Sequence, residues 1–219
     1  MKRTISICIC LLMSLTLLIG CSAGDAGFRE KVYTADASQV QAIRIDVRDR
    51  KVEIEPSDSE DIAIIYCESS KEGYDLSVSD STLVMAYRSD REWTDFIGSK
   101  TSEENRIIRL RIPQSALSSL SIATTNEDVT LPALTLTGSL SIDVNNGNIS
   151  FEKLDVGSAI ELKAKDGDVS GTIVGGYDDF TITTSVKKGE SNLPEQMGSG
   201  EKTLNVSANN GDIQIQMEK

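Results

Sequence analysis

LSIDVNNGNIS (140–150) is followed twenty residues on by IELKAKDGDVS (160–170), and near the end of the chain by LNVSANNGDIQ (204–214). Each copy alternates apolar and polar residues, reaches an Asn- or Asp-flanked glycine (Gly147, Gly167, Gly211), and resumes with a second short alternating stretch. A strand–glycine turn–strand unit returning at a fixed period points to stacked β architecture. Alternate residues of a strand share one face. The columns Leu120/Ile122/Thr124, Leu140/Ile142/Val144, Ile160/Leu162/Ala164, Phe180/Ile182/Thr184 and Leu204/Val206/Ala208 are therefore expected to face a core. After each corner come Val129/Leu131, Ile149/Phe151, Val169/Gly171, Ser191/Leu193 and Ile213/Ile215; the early units add Leu134/Leu136 and Leu154/Val156. Two strand faces and a short third side per unit predict one coil of a parallel β-solenoid. Its backbone groups would be satisfied by the coils above and below, about 4.8 Å away.

The corner glycines Gly147, Gly167, Gly189 and Gly211 are read as structural turns, because a tight corner asks for φ > 0, which glycine adopts at no steric cost. The first corner instead reads Asn126-Glu127-Asp128, and Gly189 in Lys188-Gly189-Glu190 arrives two residues late. The stretch 40–113 is less regular. Ile43/Ile45/Val47, Val52/Ile54, Ile62/Ile64, Leu76/Val78, Leu83/Met85 and Ile108/Leu110/Ile112 form amphipathic strands between polar turns. They are expected to start the solenoid and cap its open end, since an uncapped end exposes unpaired strand groups. The repeat solenoid proper is placed at 114–219.

The amino terminus carries an address. Lys2 and Arg3 precede an apolar run from Ile5 to Ile19, too short and wrongly flanked for a membrane span. The run ends in Leu18-Ile19-Gly20-Cys21, which resembles the bacterial lipoprotein signal. That resemblance implies a signal peptide over 1–20 and diacylglyceryl and palmitoyl-type lipidation at Cys21, with 21–39 as a tether rich in Gly, Ala, Ser and Asp. Two acyl chains hold a protein on a membrane where one is marginal. The expected location is a cell membrane or outer membrane, on its extracytoplasmic side.

The formal charge is −12, and loss of Lys2 and Arg3 with the signal makes it more negative still. This acidity disfavours nucleic acid and anionic membrane surfaces as partners. Of the four cysteines, Cys8 and Cys10 leave with the signal and Cys21 is lipidated, so Cys67 has no intramolecular disulfide partner. It lies in the apolar run 62–67 and reads as a small buried hydrophobe. There is no histidine. That removes the usual general base, Ser–His and Cys–His pairs, and most zinc or copper sites. No G-x-S-x-G, P-loop or dinucleotide fingerprint occurs.

Three candidate surfaces remain. The corner acids Asp128, Asp166, Asp168, Glu190 and Asp212 suit ordinary turns, and clustered oxygens also suit Ca²⁺. The spacing lacks the dense repeat of calcium β-rolls, so the expectation is no metal and no cofactor. The outward positions Ser121/Ala123, Ser141/Asp143, Glu161/Lys163, Thr181/Thr183 and Asn205/Ser207 form polar ladders, either simple solvated surface or a face for a glycan or partner, with Lys163 between Asp143 and Thr183. The long loop 88–105 holds Trp93 and Phe96, in a chain that is only 5% aromatic. They are candidates for a partner contact, with a cap over the solenoid end as the other reading.

The order AIRIDVRDRKVEIEP, then IIRLRIPQSALSSLSIATTNEDVTL, then NGN, DGD and NGD corners resembles the bacterial putative-adhesin β-strand-repeat family, domain of unknown function 4097. The resemblance covers roughly 40–219. It implies an all-β solenoid on the cell envelope and carries over no catalytic residue. The expected function is therefore a membrane-anchored binding, adhesion or envelope-interaction role without enzymatic activity, toward an envelope protein or glycan. The alternatives are a polysaccharide-active β-helical enzyme and an accessory protein of an envelope-stress signalling system.

Overall fold

The computed structural model describes residues 27–90, 101–113 and 117–219. In chain order the strands are β1 (Arg29–Asp36), β2 (Ala42–Asp46), β3 (Lys51–Ser57), β4 (Asp61–Glu68), β5 (Glu72–Ser79), β6 (Thr82–Ser89), β7 (Ile107–Pro113), β8 (Leu117–Thr124) and β9 (Val129–Leu131). They continue as β10 (Leu134–Asn146), β11 (Ile149–Phe151), β12 (Leu154–Val156), β13 (Ala159–Asp166), β14 (Val169–Val174), β15 (Phe180–Lys188), β16 (Gln196–Met197), β17 (Lys202–Asn210) and β18 (Ile213–Glu218). The helical elements among the described residues are single 3-10 turns at Ala37–Gln39, Glu104–Arg106 and Tyr177–Asp179.

The twenty-residue period becomes strand register. Leu140 pairs with Leu120 on one side and Ile160 on the other, and Ile142 with Ile122 and Leu162, all in parallel. One row of strands runs β5–β6–β2–β8–β10–β13–β17–β15–β16. A second runs β1–β4–β7–β3–β9–β11–β14–β18. The short third side joins Leu134–Leu136 of β10 to Leu154–Val156 of β12. The inward columns of both rows are buried, with Ile142, Leu162, Ile149, Val169 and Ile213 all at 0% exposure, while Asp143 and Lys163 face out.

The expected all-β class holds, and the strands of the fold run in mixed directions. The middle strands pair in parallel, but β1–β4, β4–β7, β5–β6 and β15–β16 are antiparallel. The antiparallel pairs lie toward the ends of the two rows, where the chain folds back on itself. The order of the last units is corrected. β17, not β15, lies next to β13, and Ile182 rather than Phe180 pairs with Leu204. The segment after Gly189 is long enough to turn back and insert β17 between its neighbours. The two-residue shift accounts for the late glycine. Lys163 therefore stands between Asp143 and Ser207, not Thr183, and pairs with Glu161 at 2.5 Å. Finally, the tether read over 21–39 gives way at Arg29 to a strand, since β1 pairs with β4 along its whole length.

Candidate functional site

Cys21, Trp93 and Phe96 lie outside the described residues. The corner glycines lie within them and form one ladder. Gly147 N–H donates to Asp166 O, Gly167 N–H to Asn210 O and Gly211 N–H to Lys188 O, each at 2.9 Å. A Cβ on Gly167 would overlap the Gly147 carbonyl, one on Gly211 the Gly167 carbonyl, and one on Gly189 the Gly211 carbonyl. Close approach of successive corners, together with φ near 150°, excludes any side chain there.

The neighbouring acids are spent on the same corner. Asp128 Oδ1 accepts from Asn148 N–H (2.7 Å), Asn148 Oδ1 from Asp168 N–H (2.9 Å), Asp168 Oδ1 from Asp212 N–H (2.8 Å) and Asp212 Oδ1 from Glu190 N–H (2.8 Å). Each side chain thus satisfies a backbone donor that the tight turn leaves without a ladder partner. A second row pairs Asn126 with Asp49 and Asn210 with Asp166, with Asn146 in reach of Asn126 and Asp166. Among the described residues, no three His, Cys, Asp or Glu side chains are placed to hold a metal ion.

The sequence reading missed a buried polar cluster near the first end of the stack. Arg50, at 2% exposure, ion-pairs with Glu72, at 4%. Arg50 Nε donates to Tyr74 Oη at 2.6 Å, and Nη1 donates to Asp49 O at 3.0 Å. Its guanidinium stands 5.6 Å from the centre of the Tyr87 ring, and Tyr74 meets Tyr66 and Tyr87 edge-on at 5.2 and 6.0 Å. Burial pushes the Tyr74 hydroxyl up to about 12 against the lowering pull of Arg50. Burial, with Glu68 nearby, takes Tyr66 to about 12 as well. The cluster ties the β2–β3 turn to β5 and closes that end. Cys67 on β4 is half-buried, and burial raises its thiol pKa, consistent with an inert side chain.

The other end carries an open, polar groove. It measures about 570 Å³ and is lined by Ser170, Thr172, Glu190, Asn192, Gln214 and Gln216 together with Gly171, Ser191 and Ile213, a volume within the range of ligand sites. Register places Ser170 beside Gln214 and Thr172 beside Gln216 on the outward side of β14 and β18. One wall is held rigid by Asn192, whose Nδ2 donates to Ile215 O (2.8 Å) and whose Oδ1 accepts from Ile215 N–H (2.9 Å). Ser191 Oγ fixes the same turn through Leu193 N–H at 3.1 Å. Ser170, Thr172, Gln214 and Gln216 make no side-chain hydrogen bond to another described residue, so their donors and acceptors face the groove unengaged.

A structure of a putative cell adhesion protein from Clostridium sporogenes superposes with a TM-score of 0.55 at 13% identity, covering 87% of this chain and 100% of that one. A putative adhesin from Bacteroides fragilis aligns at 14% identity over 85% of this chain and 97% of its own, with a TM-score of 0.31. At these identities the first likeness speaks for the fold alone, and the second carries no argument. A comparison with curated proteins finds no match. The Toastrack DUF4097 family model matches residues 40–183, the span that runs from β2 through the paired Asx-glycine corners into β15, and the chain belongs to that family.

Proposed function

We propose that this chain is a lipid-anchored, extracytoplasmic binding protein with an adhesion or envelope-interaction role and no catalytic activity, and that the groove over β14 and β18 is its contact surface. The observation that carries this reading is the unengaged set Ser170, Thr172, Gln214 and Gln216, gathered against a wall braced by Asn192. Polar side chains that line a concave surface without satisfying one another keep their donors and acceptors available to an outside partner. The name of the Clostridium structure, a putative cell adhesion protein, accords with it. So do the lipoprotein-like start at Leu18-Ile19-Gly20-Cys21 and the absence of histidine. We read the fold, more finely, as a parallel β-solenoid closed by antiparallel strands at its ends.

The test is co-sedimentation with isolated envelopes in a Cys21→Ala background, which takes the lipid anchor out of the assay. The protein with its groove intact should pellet with them, and Gln214→Ala/Gln216→Ala in the same background should not. Equal retention of both proteins would remove the groove from the function.

A further inference from the structure

We infer that the groove over β14 and β18 takes an uncharged oligosaccharide; this rests on the groove being the contact surface. The argument is chemical complementarity. Seven of its lining side chains are hydroxyls, amides or a carboxylate: Ser170, Thr172, Ser191, Asn192, Gln214, Gln216 and Glu190. Hydroxyls and amides each both donate and accept, as sugar hydroxyls do. An aliphatic ligand would strand the unengaged hydroxyls and amides of Ser170, Thr172, Gln214 and Gln216 without partners, which costs binding energy for each. No Lys or Arg lines the groove. An anionic ligand would therefore meet Glu190 and the nearby corner carboxylates Asp168 and Asp212 with no counter-charge, in a chain of net charge −12.

The spacing suits a chain of repeating units better than a single compact molecule. Along a strand, side chains on one face recur at about 6.8 Å, and neighbouring strands lie about 4.8 Å apart. Ser170, Thr172, Gln214 and Gln216 thus form a two-by-two grid of hydrogen-bonding groups on a rigid sheet. The grid is pre-organised, because Asn192 and Ser191 hold its flank and β14 and β18 are paired along six residues. A fixed array loses little entropy when a flexible polymer docks on it. The same row nearer the middle of the molecule is less available, since Ser150 Oγ already donates to Thr130 Oγ1.

The experiment is an array of uncharged and anionic oligosaccharides, including N-acetylglucosamine hexamer, maltohexaose and polygalacturonate hexamer, probed with the purified protein. Hits are quantified by calorimetry. The expected result is saturable binding to an uncharged oligomer, at least tenfold weaker binding to anionic ones, and a further tenfold loss in Gln214→Ala/Gln216→Ala. Both substituted side chains face outward, so the melting temperature should hold. The inference is overturned if no uncharged oligomer binds, if anionic oligomers bind as tightly, or if the double substitution leaves affinity unchanged. Loss of envelope retention in the double variant without sugar binding would reject the saccharide and leave the contact surface standing. Retention equal to that of the protein with its groove intact would reject both.

Discussion

Gly167 is a position where one methyl group has a large structural consequence. Its position in the corner places it against the Gly147 carbonyl, and the same contact recurs from Gly211 to Gly167. Gly167→Ala forces either corner to move and breaks the 2.9 Å bond from Gly167 N–H to Asn210 O. It should cost about 2–3 kcal/mol in a urea melt, the range for strain at a special backbone position. Asn205→Ala, on an exposed outward position, should change stability by less than about 0.5 kcal/mol. The tyrosine cluster gives a second residue-scale effect, with a defined sign. Tyr66 and Tyr74 keep their protons in the folded state to about 12, whereas in the unfolded chain they lose them near 10. Between these values the folded state binds more protons, so stability is present below pH 10 and falls as pH rises toward 12. Tyr74→Phe should flatten that alkaline decline, as read from chemical denaturation at pH 8, 10 and 11.

Strands put these residues in place, and their registers make separate claims. Ile142→Asp places a charge at a position with 0% exposure between Ile122 and Leu162. It should cost about 3–5 kcal/mol, whereas Asp143→Ser one residue on should be nearly neutral. The outer edge of β18 is guarded differently. Asn192 occupies the N–H and C=O of Ile215 with its carboxamide, imitating a neighbouring strand. Asn192→Ala frees that edge for pairing with another molecule, so sedimentation velocity should show a rise in average mass over wild type at equal concentration. Much of this level was legible in the sequence. The inward columns follow from apolar alternation, and the corner glycines from their Asn and Asp neighbours. β1 was not legible, because its inward residues are Lys31, Tyr33 and Ala35, and a charged edge strand has little apolar periodicity. Spacing also says which residues stack but not in what order, so the exchange of β15 and β17 was hidden in the length of the segment between them. Arg50 and Glu72 stand 22 residues apart in polar stretches, and nothing in either stretch pairs them until the fold joins them. Gln214 and Gln216 look like any outward strand positions until Asn192 walls them in.

At the scale of the molecule, the two ends differ, and the difference predicts an orientation. The second row of strands begins at β1 and ends at β18. Seven inter-strand steps at about 4.8 Å separate them by roughly 34 Å. With Cys21 lipidated as proposed, the stretch from Cys21 to Arg29 reaches at most about 28 Å even when fully extended. β1 and the Arg50–Glu72 end then lie toward the bilayer, and the polar groove over β14 and β18 points away from it, toward whatever the envelope faces. Single cysteines report this directly. In a Cys67→Ser background, a fluorophore on Val32→Cys, exposed on β1, and one on Gln216→Cys, exposed on β18, are compared in vesicles containing spin-labelled lipid. Quenching should be strong at position 32 and weak at 216, and Cys21→Ala should abolish both by releasing the protein from the vesicle. Equal quenching at the two positions would mean that the rod lies flat on the membrane. The groove would then be reached from the side, and length would give the anchor no reason to present one end.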